Sequence, residues 1–166
     1  LDFSVGGAVA SFGRRLEWPE DFFRVMWSAK FMQKEYEGSQ SDIDNYIGGL
    51  QKTRGISLSQ VLSRDSRNRA EFPTNGSTFI LENTYSGGFL GGNENFQKHM
   101  LTLDWFTPTF SKFVLYNSVK LGVIKTIDVG DDIQSFVPFD ERFIMGGNGI
   151  PYGNALRGYP DNAIGP

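Results

Sequence analysis

Long runs of alternating apolar and polar residues are the feature that most limits what this chain can fold into. Between Phe23 and Gln33 one set of alternate residues is apolar and the other is mostly polar. Because successive side chains of a β-strand point to opposite faces, this period of two predicts a strand with one apolar face. The run is also longer than the mean strand of soluble proteins, which has about 5 to 6 residues. The apolar set is Phe23, Val25, Trp27, Ala29 and Phe31, and the other set is Arg24, Met26, Ser28, Lys30 and Met32.

The same alternation recurs along the chain and predicts six strands, with exceptions at Gln60, Ile80 and Asn83. The opening strand is rich in Gly and Ala, with Val5 and Val9 on one side. The later apolar sets are Ile56, Leu58 and Leu62; Phe79, Leu81 and Tyr85; Leu101, Leu103 and Trp105; and Leu115, Val119, Leu121 and Val123. The predicted strands cover residues 2–14, 22–36, 55–66, 76–86, 97–106 and 113–126, and a loop follows at 127–166.

Strands of this length and patterning suit a wall between lipid and a wet lumen, because a tilted strand of about 10 residues crosses a bilayer. Short connections near residues 15–21, 68–76 and 107–112 alternate with longer ones at 38–54 and 87–95, as periplasmic turns and extracellular loops do. The short ones are flanked by aromatic residues, which predicts an interfacial girdle. These residues include Trp18, Phe22, Phe72, Trp105 and Phe110.

The prediction is therefore all-β, with six strands of a larger antiparallel transmembrane barrel. An open six-stranded sheet would leave unpaired backbone groups in hydrocarbon, so the remaining strands must come from the rest of the polypeptide or, as the less favoured alternative, from another chain. The alternative is a soluble β-sandwich that buries its apolar face.

The composition excludes several classes of function, although it says less about the fold. A net charge of −3 lacks the basic excess of a nucleic-acid binder, and the absence of Cys excludes disulfides and thiolate metal sites. No serine lies in a Gly-x-Ser-x-Gly context, and the single His99 has no second His nearby, so we interpret it as an interfacial residue near a strand end. We expect no enzyme activity, no cofactor and no metal.

Three motifs have no generic structural explanation. The segment Phe139–Pro166 contains Glu141-Arg142-Phe143, Gly146-Gly147, Arg157-Gly158-Tyr159, Asn162 and Gly165-Pro166 in that order. Asp65-Ser66-Arg67 is followed by Phe72-Pro73-Thr74-Asn75-Gly76-Ser77, where Pro73 fixes φ and Gly76 can take a positive φ. The third motif is Arg14–Phe23, with the sequence RRLEWPEDFF.

The first motif resembles the long sixth extracellular loop of the BamA family, within the bacterial surface antigen superfamily of Gram-negative outer membranes. The second is similar to a strand-turn-strand passage of the same family, and the third to the corresponding turn of Bacteroidota-type members. The resemblance implies the central part of a barrel of about sixteen strands in the cell outer membrane. It also implies that the chain is a piece of a longer polypeptide that carries POTRA domains and the remaining strands.

In that family the sixth loop folds back into the barrel, and acidic residues of the wall hold the arginine of its signature. The corresponding arginine here is Arg157, although the family's main acidic partners come from later strands. Inward-facing Asp65, Glu82 and Asp104 are candidate partners in this chain, and a surface arginine is the alternative. The loop signature is Arg157, Gly158, Tyr159, Asn162, Gly165 and Pro166, and the turn motif is Asp65, Arg67, Phe72, Pro73 and Gly76.

The function implied by the resemblance is that of an insertase, which folds and inserts β-barrel proteins into the outer membrane. Its partners would be outer-membrane lipids, accessory BAM-type lipoproteins, nascent barrel clients and the rest of its own polypeptide. TamA-like translocation barrels and two-partner secretion pores carry related loop signatures, so export of a polypeptide is the alternative.

Overall fold

The computed structural model describes residues 2–37, 51–130, 137–148, 155–161 and 163–165. The described residues form one antiparallel sheet of six strands in chain order, which confirms the predicted number and pairing. Short 3₁₀ helices lie at Gly88–Leu90 and Phe139–Glu141, and no described helix is long and apolar enough to span a membrane. The strands are β1 (Asp2–Arg15), β2 (Phe23–Glu37), β3 (Lys52–Asp65), β4 (Gly76–Ser86), β5 (Phe96–Pro108) and β6 (Val114–Thr126).

The largest difference from the predicted strand ends is at the start of β3, which begins at Lys52 and not at residue 55. Thr53 explains the extension. It lies directly opposite Lys34 of β2, and its hydroxyl donates to the Glu94 carboxylate at 2.9 Å. Contacts with distant parts of the chain therefore hold in the sheet a stretch whose polarity is typical of a loop.

The cross-strand register places the predicted apolar sets of β2 to β6 on one face, which we call the outer face. The prediction for β1 was wrong, because Val5 and Val9 lie opposite Lys34 and Lys30 on the other face, and Ala8, Ala10 and Phe12 are the outward residues. One row of directly opposite residues crosses five strands, from Val25 through Leu62, Leu81 and Leu101 to Leu121. Leu121 is 60% exposed at the end of this row. A soluble sandwich would bury this face, so its exposure contradicts that alternative and fits a surface that contacts lipid.

The opposite face is polar, and we call it the inner face. It carries the inward set of β2, including Lys34, and the hydroxyls of Ser59 and Thr84, which hydrogen-bond each other at 3.0 Å across β3 and β4. The two ends of the sheet also differ. The turn end carries the short connections after β1, β3 and β5, and the loop end carries residues 87–95 and the segment that follows β6.

The turn-end connections expose aromatic side chains, as the predicted girdle requires. Trp18 is 85% exposed, Phe72 88% and Phe110 75%. Large aromatic rings that are exposed at one end of a transmembrane sheet match the aromatic belts at membrane–water interfaces. The position of these rings therefore sets the turn end at one boundary of the membrane.

Candidate functional site

The candidate site is the place where the chain after β6 returns to the inner face at the loop end. We call residues 137–148 and 155–165, without 162, the docked loop. Its first anchor is Asp140, whose carboxylate accepts from the Lys34 ammonium at 3.1 and 3.2 Å. The same ammonium lies 3.3 Å from Glu94, and Lys34 and Glu94 are only 5% and 6% exposed. One buried cation thus joins β2, the connection before β5 and the docked loop.

The sheet is shaped to receive Glu94. The Thr53 hydroxyl donates to one of its carboxylate oxygens, and Gly55 leaves room for the other, since a Cβ at residue 55 would overlap with it. Glycine in a strand interior often marks such a close approach. Next to it, Asn95 is fully buried and its Oδ1 accepts from the Gly88 N–H at 2.8 Å. Lys34 and Glu94 need this kind of support, because burial has removed most of the water from both charges.

The second anchor of the docked loop is on β5 and β6. The Lys98 ammonium donates to the Glu141 carboxylate at 3.0 Å and to the Glu141 carbonyl at 2.8 Å. It also lies 5.3 Å from the centre of the Phe143 ring, within the range of a cation–π contact. The same ring occupies the space above Gly122, where a Cβ would overlap with it. Glu141 and Phe143 of the motif therefore contact the wall next to the Asp140 anchor, whereas the Arg142 Nε donates within the loop to the Val137 carbonyl.

The two halves of the docked loop are joined to each other by backbone hydrogen bonds. Gly147 N–H donates to the Tyr159 carbonyl at 2.9 Å, and Leu156 N–H donates to the Gly147 carbonyl at 3.2 Å. Met145 and Ile164 exchange a pair of bonds at 2.7 and 3.0 Å. The described members of the ordered set thus lie in one structural unit, with the Gly146-Gly147 pair beside the Arg157-Gly158-Tyr159 turn.

The turn motif forms a separate site at the turn end. Arg67 donates from Nε and Nη2 to the two oxygens of Asp65, at 3.0 and 2.8 Å, and these hydrogen bonds raise the pKa of Arg67. Phe72 has a φ of 51° on the exposed turn, and Gly76 has a φ of 106°, in the region that favours glycine. Pro73 lies between them and is partly exposed. The motif therefore fixes a turn, with one ion pair at its base.

A profile of the Omp85 superfamily domain matches residues 4–166. The chain belongs to the Omp85 superfamily. It is similar to the outer membrane protein assembly factor BamA of Nitratidesulfovibrio vulgaris (strain Hildenborough), with 30% identity over 130 residues, which cover 75% of this chain. The chain spans about 15% of the length of that relative.

These matches confirm the resemblance to a BamA-like outer-membrane protein. The six-stranded sheet is part of a transmembrane β-barrel of the outer membrane, as the alternation predicted. The outer face is therefore the Omp85 surface that contacts lipid, and the inner face belongs to the lumen.

The structure does not bring the Omp85 signature arginine together with the three predicted acids. Arg157 is exposed in a turn with Gly158 and makes no ion pair within the part of the chain that the structure describes. Asp65 pairs with Arg67, Asp104 accepts from Thr78 and Tyr116, and Glu82 faces inward opposite Val61 and Met100. The pairing of Arg157 with a wall acid stays a prediction. Asn162 and Pro166 lie outside the described residues.

Sequence reasoning missed the residues that attach the loop to this Omp85 wall. Lys34 lies within the predicted strand 22–36 and Glu94 within the connection 87–95, and the sequence pattern gave neither residue a role. Gly55 and Gly122 could have indicated where these attachments lie, because a glycine inside a strand often marks a place where another group approaches closely. Both lie on the inner face beneath a side chain from another segment.

Proposed function

We propose that this chain is the central wall of an outer-membrane insertase, which folds β-barrel proteins and inserts them into the membrane. Membership of the Omp85 superfamily and similarity to a relative named outer membrane protein assembly factor support the proposal. The observation that carries it is the set of Lys34, Glu94 and Asp140, which we call the Lys34 group. In this group the Lys34 ammonium bridges the Glu94 carboxylate of the wall and the Asp140 carboxylate of the docked loop. A loop held in this way keeps one side of the barrel rigid.

The proposed mechanism involves no covalent chemistry, enzyme activity or cofactor. A weakly paired strand elsewhere in the barrel opens and offers its edge to an incoming strand, which pairs by β-augmentation. The continuous ladder from β1 to β6 resists the opening, because each strand is hydrogen-bonded to its neighbour along most of its length. The opening movement is thus confined to the weakly paired strand elsewhere in the barrel. The other components are nascent barrel clients, accessory lipoproteins, outer-membrane lipids and the POTRA domains and remaining strands of the same polypeptide.

The test is to purify the parent protein from native outer membrane in mild detergent and to weigh the intact complex by mass spectrometry. We expect a heavy chain with several POTRA domains and co-purified lipoproteins. A lone chain that holds one secreted partner would overturn the proposal and favour a two-partner secretion or TamA-like barrel. Reconstitution in liposomes with an unfolded barrel client adds a direct measurement of insertion.

The signature arginine gives a second test in the full protein. Arg157→Ala is expected to lower barrel stability or assembly activity, since the family resemblance assigns this guanidinium to the wall acids. Heat-modifiable migration on gels measures barrel stability, and growth measures assembly. Unchanged migration together with normal growth would contradict the expectation. A double-mutant cycle between Arg157 and Asp104 that gives no coupling energy would remove that particular pair.

A further inference from the structure

Three polar residues interrupt the apolar outer face, and the register places them side by side. Gln60 of β3 lies directly opposite Asn83 of β4, which lies directly opposite His99 of β5. The Nδ1 atom of His99 is 2.8 Å from Oδ1 of Asn83. Two of these residues were the exceptions to the alternation, and the structure shows that they form one feature. We call Gln60, Asn83 and His99 the polar row.

The polar row begins deep in the membrane. Gln60 lies five residues before Asp65, the last residue of β3, and its outward neighbours on the strand are Leu58 and Leu62. With a rise of about 3.3 Å per residue and a tilt of about 40°, Gln60 is about 13 Å from the turn end. The apolar band of an outer-membrane barrel is about 25 Å tall, so this amide lies near its middle.

An amide at this depth needs a partner that lipid does not provide. Acyl chains neither donate nor accept hydrogen bonds, and lipid headgroups lie at the two surfaces of the bilayer. A polar group in hydrocarbon without a hydrogen bond is costly. Gln60 is nevertheless exposed on the outer face, and no hydrogen bond from its side chain reaches another described residue. The missing partner must therefore be a protein group that is itself inside the membrane.

A second copy of this chain does not fit the polar row. Gln60, Asn83 and His99 lie five, seven and nine residues from the turn ends of their strands, so the row is inclined across the membrane. A two-fold axis along the membrane normal brings together residues at equal depth. When the axis passes beside Asn83, that residue meets its own copy, but Gln60 faces the apolar part of β5 near Leu101 and Leu103 and stays unpaired. When the axis passes beside Gln60, the two Gln60 amides meet, but Asn83 faces the apolar part of β2 near Ala29 and Phe31.

We propose that the polar row is the docking surface for another integral outer-membrane protein. The membrane-facing side of that partner would carry side-chain amide or hydroxyl groups at matching depths, since these can both donate to and accept from Gln60 and Asn83. The inference depends on the membrane location of the barrel and is independent of whether the protein is an insertase.

The test is site-specific photocrosslinking of the full-length parent protein in its native outer membrane. A benzophenone amino acid replaces Gln60 in one variant and Ala10 in a matched control. Ala10 also lies five residues before the end of its strand, and it faces outward opposite Ala29. The two probes therefore lie at the same depth, two strands apart. We expect an adduct with a second integral outer-membrane protein that is several-fold stronger at position 60 than at position 10.

Each other outcome overturns the proposal. A covalent dimer of the chain would identify a second copy as the occupant, and an adduct only with lipid would show that no protein covers the row. Equal yields at both positions, or none, would show that the polar row is not a specific surface. The double variant Gln60→Leu and Asn83→Leu provides a second measurement. When this variant is purified, the complex should contain much less of the partner protein that the crosslinking identified, and the barrel should keep its heat-modifiable migration. Partner protein at the wild-type level would also contradict the proposal.

Discussion

The two ends of the inner face hold their charges in opposite ways. At the loop end, Lys34 is buried between carboxylates from two other segments, and its partner Asp140 is 106 residues away in the sequence. At the turn end, Arg67 pairs with Asp65 two residues away, and the Asp65 side chain is 52% exposed. One end is joined by long-range contacts around a buried cation, and the other by a local contact that water reaches.

The difference shows which charges determine tertiary structure. A buried cation that loses a carboxylate leaves an uncompensated charge, and this costs about 3 to 5 kcal/mol. An exposed pair contributes about 0 to 1 kcal/mol, because water solvates either partner when the pair is broken. The loop end should therefore determine whether the docked loop stays on the wall, and the turn end should determine only the shape of a turn.

The largest effect is expected from Lys34→Met in the full-length protein. The substitution leaves Glu94 as a buried carboxylate without a cation and removes the partner of the partly exposed Asp140, so the free energy of unfolding should fall by about 3 kcal/mol. The temperature at which heat-modifiable migration is lost measures this change. Limited proteolysis should also cut the docked loop several-fold faster, since its first anchor is gone.

Lys30→Met is the matched control for this variant. Lys30 is on the same face of β2, four residues closer to the turn end than Lys34, and it has no ion pair among the described residues. Its substitution should leave both the melting temperature and the proteolysis rate close to wild type. Equal losses from the two variants would show that inner-face charge in general, and not the Lys34 group, holds the loop.

A smaller effect is expected when the space above Gly122 is filled. Gly122→Ala places a methyl group where the Phe143 ring lies, and overpacking of this kind costs about 1 to 3 kcal/mol. Adding Phe143→Ala should recover part of the loss, because the smaller side chain no longer overlaps with the methyl group. Gly6→Ala on β1 is the control, since a Cβ there has no atom within 4 Å. If the destabilisation by Phe143→Ala adds in full to that by Gly122→Ala, the Phe143 ring does not occupy the space above Gly122.

The second anchor is expected to contribute less than the first. Lys98 and Glu141 are 18% and 29% exposed as side chains, so water partly solvates both. A double-mutant cycle with Lys98→Met and Glu141→Gln should give a coupling energy of about 1 kcal/mol, between the values for exposed and buried pairs. Thermal melting of the four proteins in one detergent measures it. A coupling energy of about 3 kcal/mol or more, the range of buried pairs, would remove the ranking of the two anchors.

The parts of this structure that were predictable from sequence are those set by local pattern. Alternation predicted the six strands and the two faces of β2 to β6, because the side-chain period of a strand is a property of its own backbone. It assigned the wrong face in β1, where Val5 and Val9 lie opposite Lys34 and Lys30. The geometry of the turn was also readable from Pro73 and Gly76, but the ion pair between Asp65 and Arg67 was not predicted, since Asp65 was a candidate partner of Arg157. The contact between Lys34 and Asp140 was not predictable, because no local rule pairs residues 106 positions apart.

The exceptions to the pattern were visible in the sequence, but their arrangement was not. Gln60 and Asn83 each interrupt an apolar set, and only the register shows that they lie opposite each other. The contacts of Arg157 could be stated from family resemblance alone, and the described residues show it exposed. Register and loop docking depend on the whole sheet, so they follow from tertiary structure.

The smallest effect is expected at the turn end, from Arg67→Gln. The substitution removes the guanidinium that pairs with Asp65, but that carboxylate is about half exposed and water replaces the lost partner. The free energy of unfolding should therefore change by no more than about 0.5 to 1 kcal/mol. Proteolysis of the docked loop should proceed at the wild-type rate, because no described contact joins the loop to this turn. If Arg67→Gln released the loop as Lys34→Met does, the two ends would be coupled through the sheet, and the contrast between buried long-range and exposed local pairs would not explain the stability of the barrel wall.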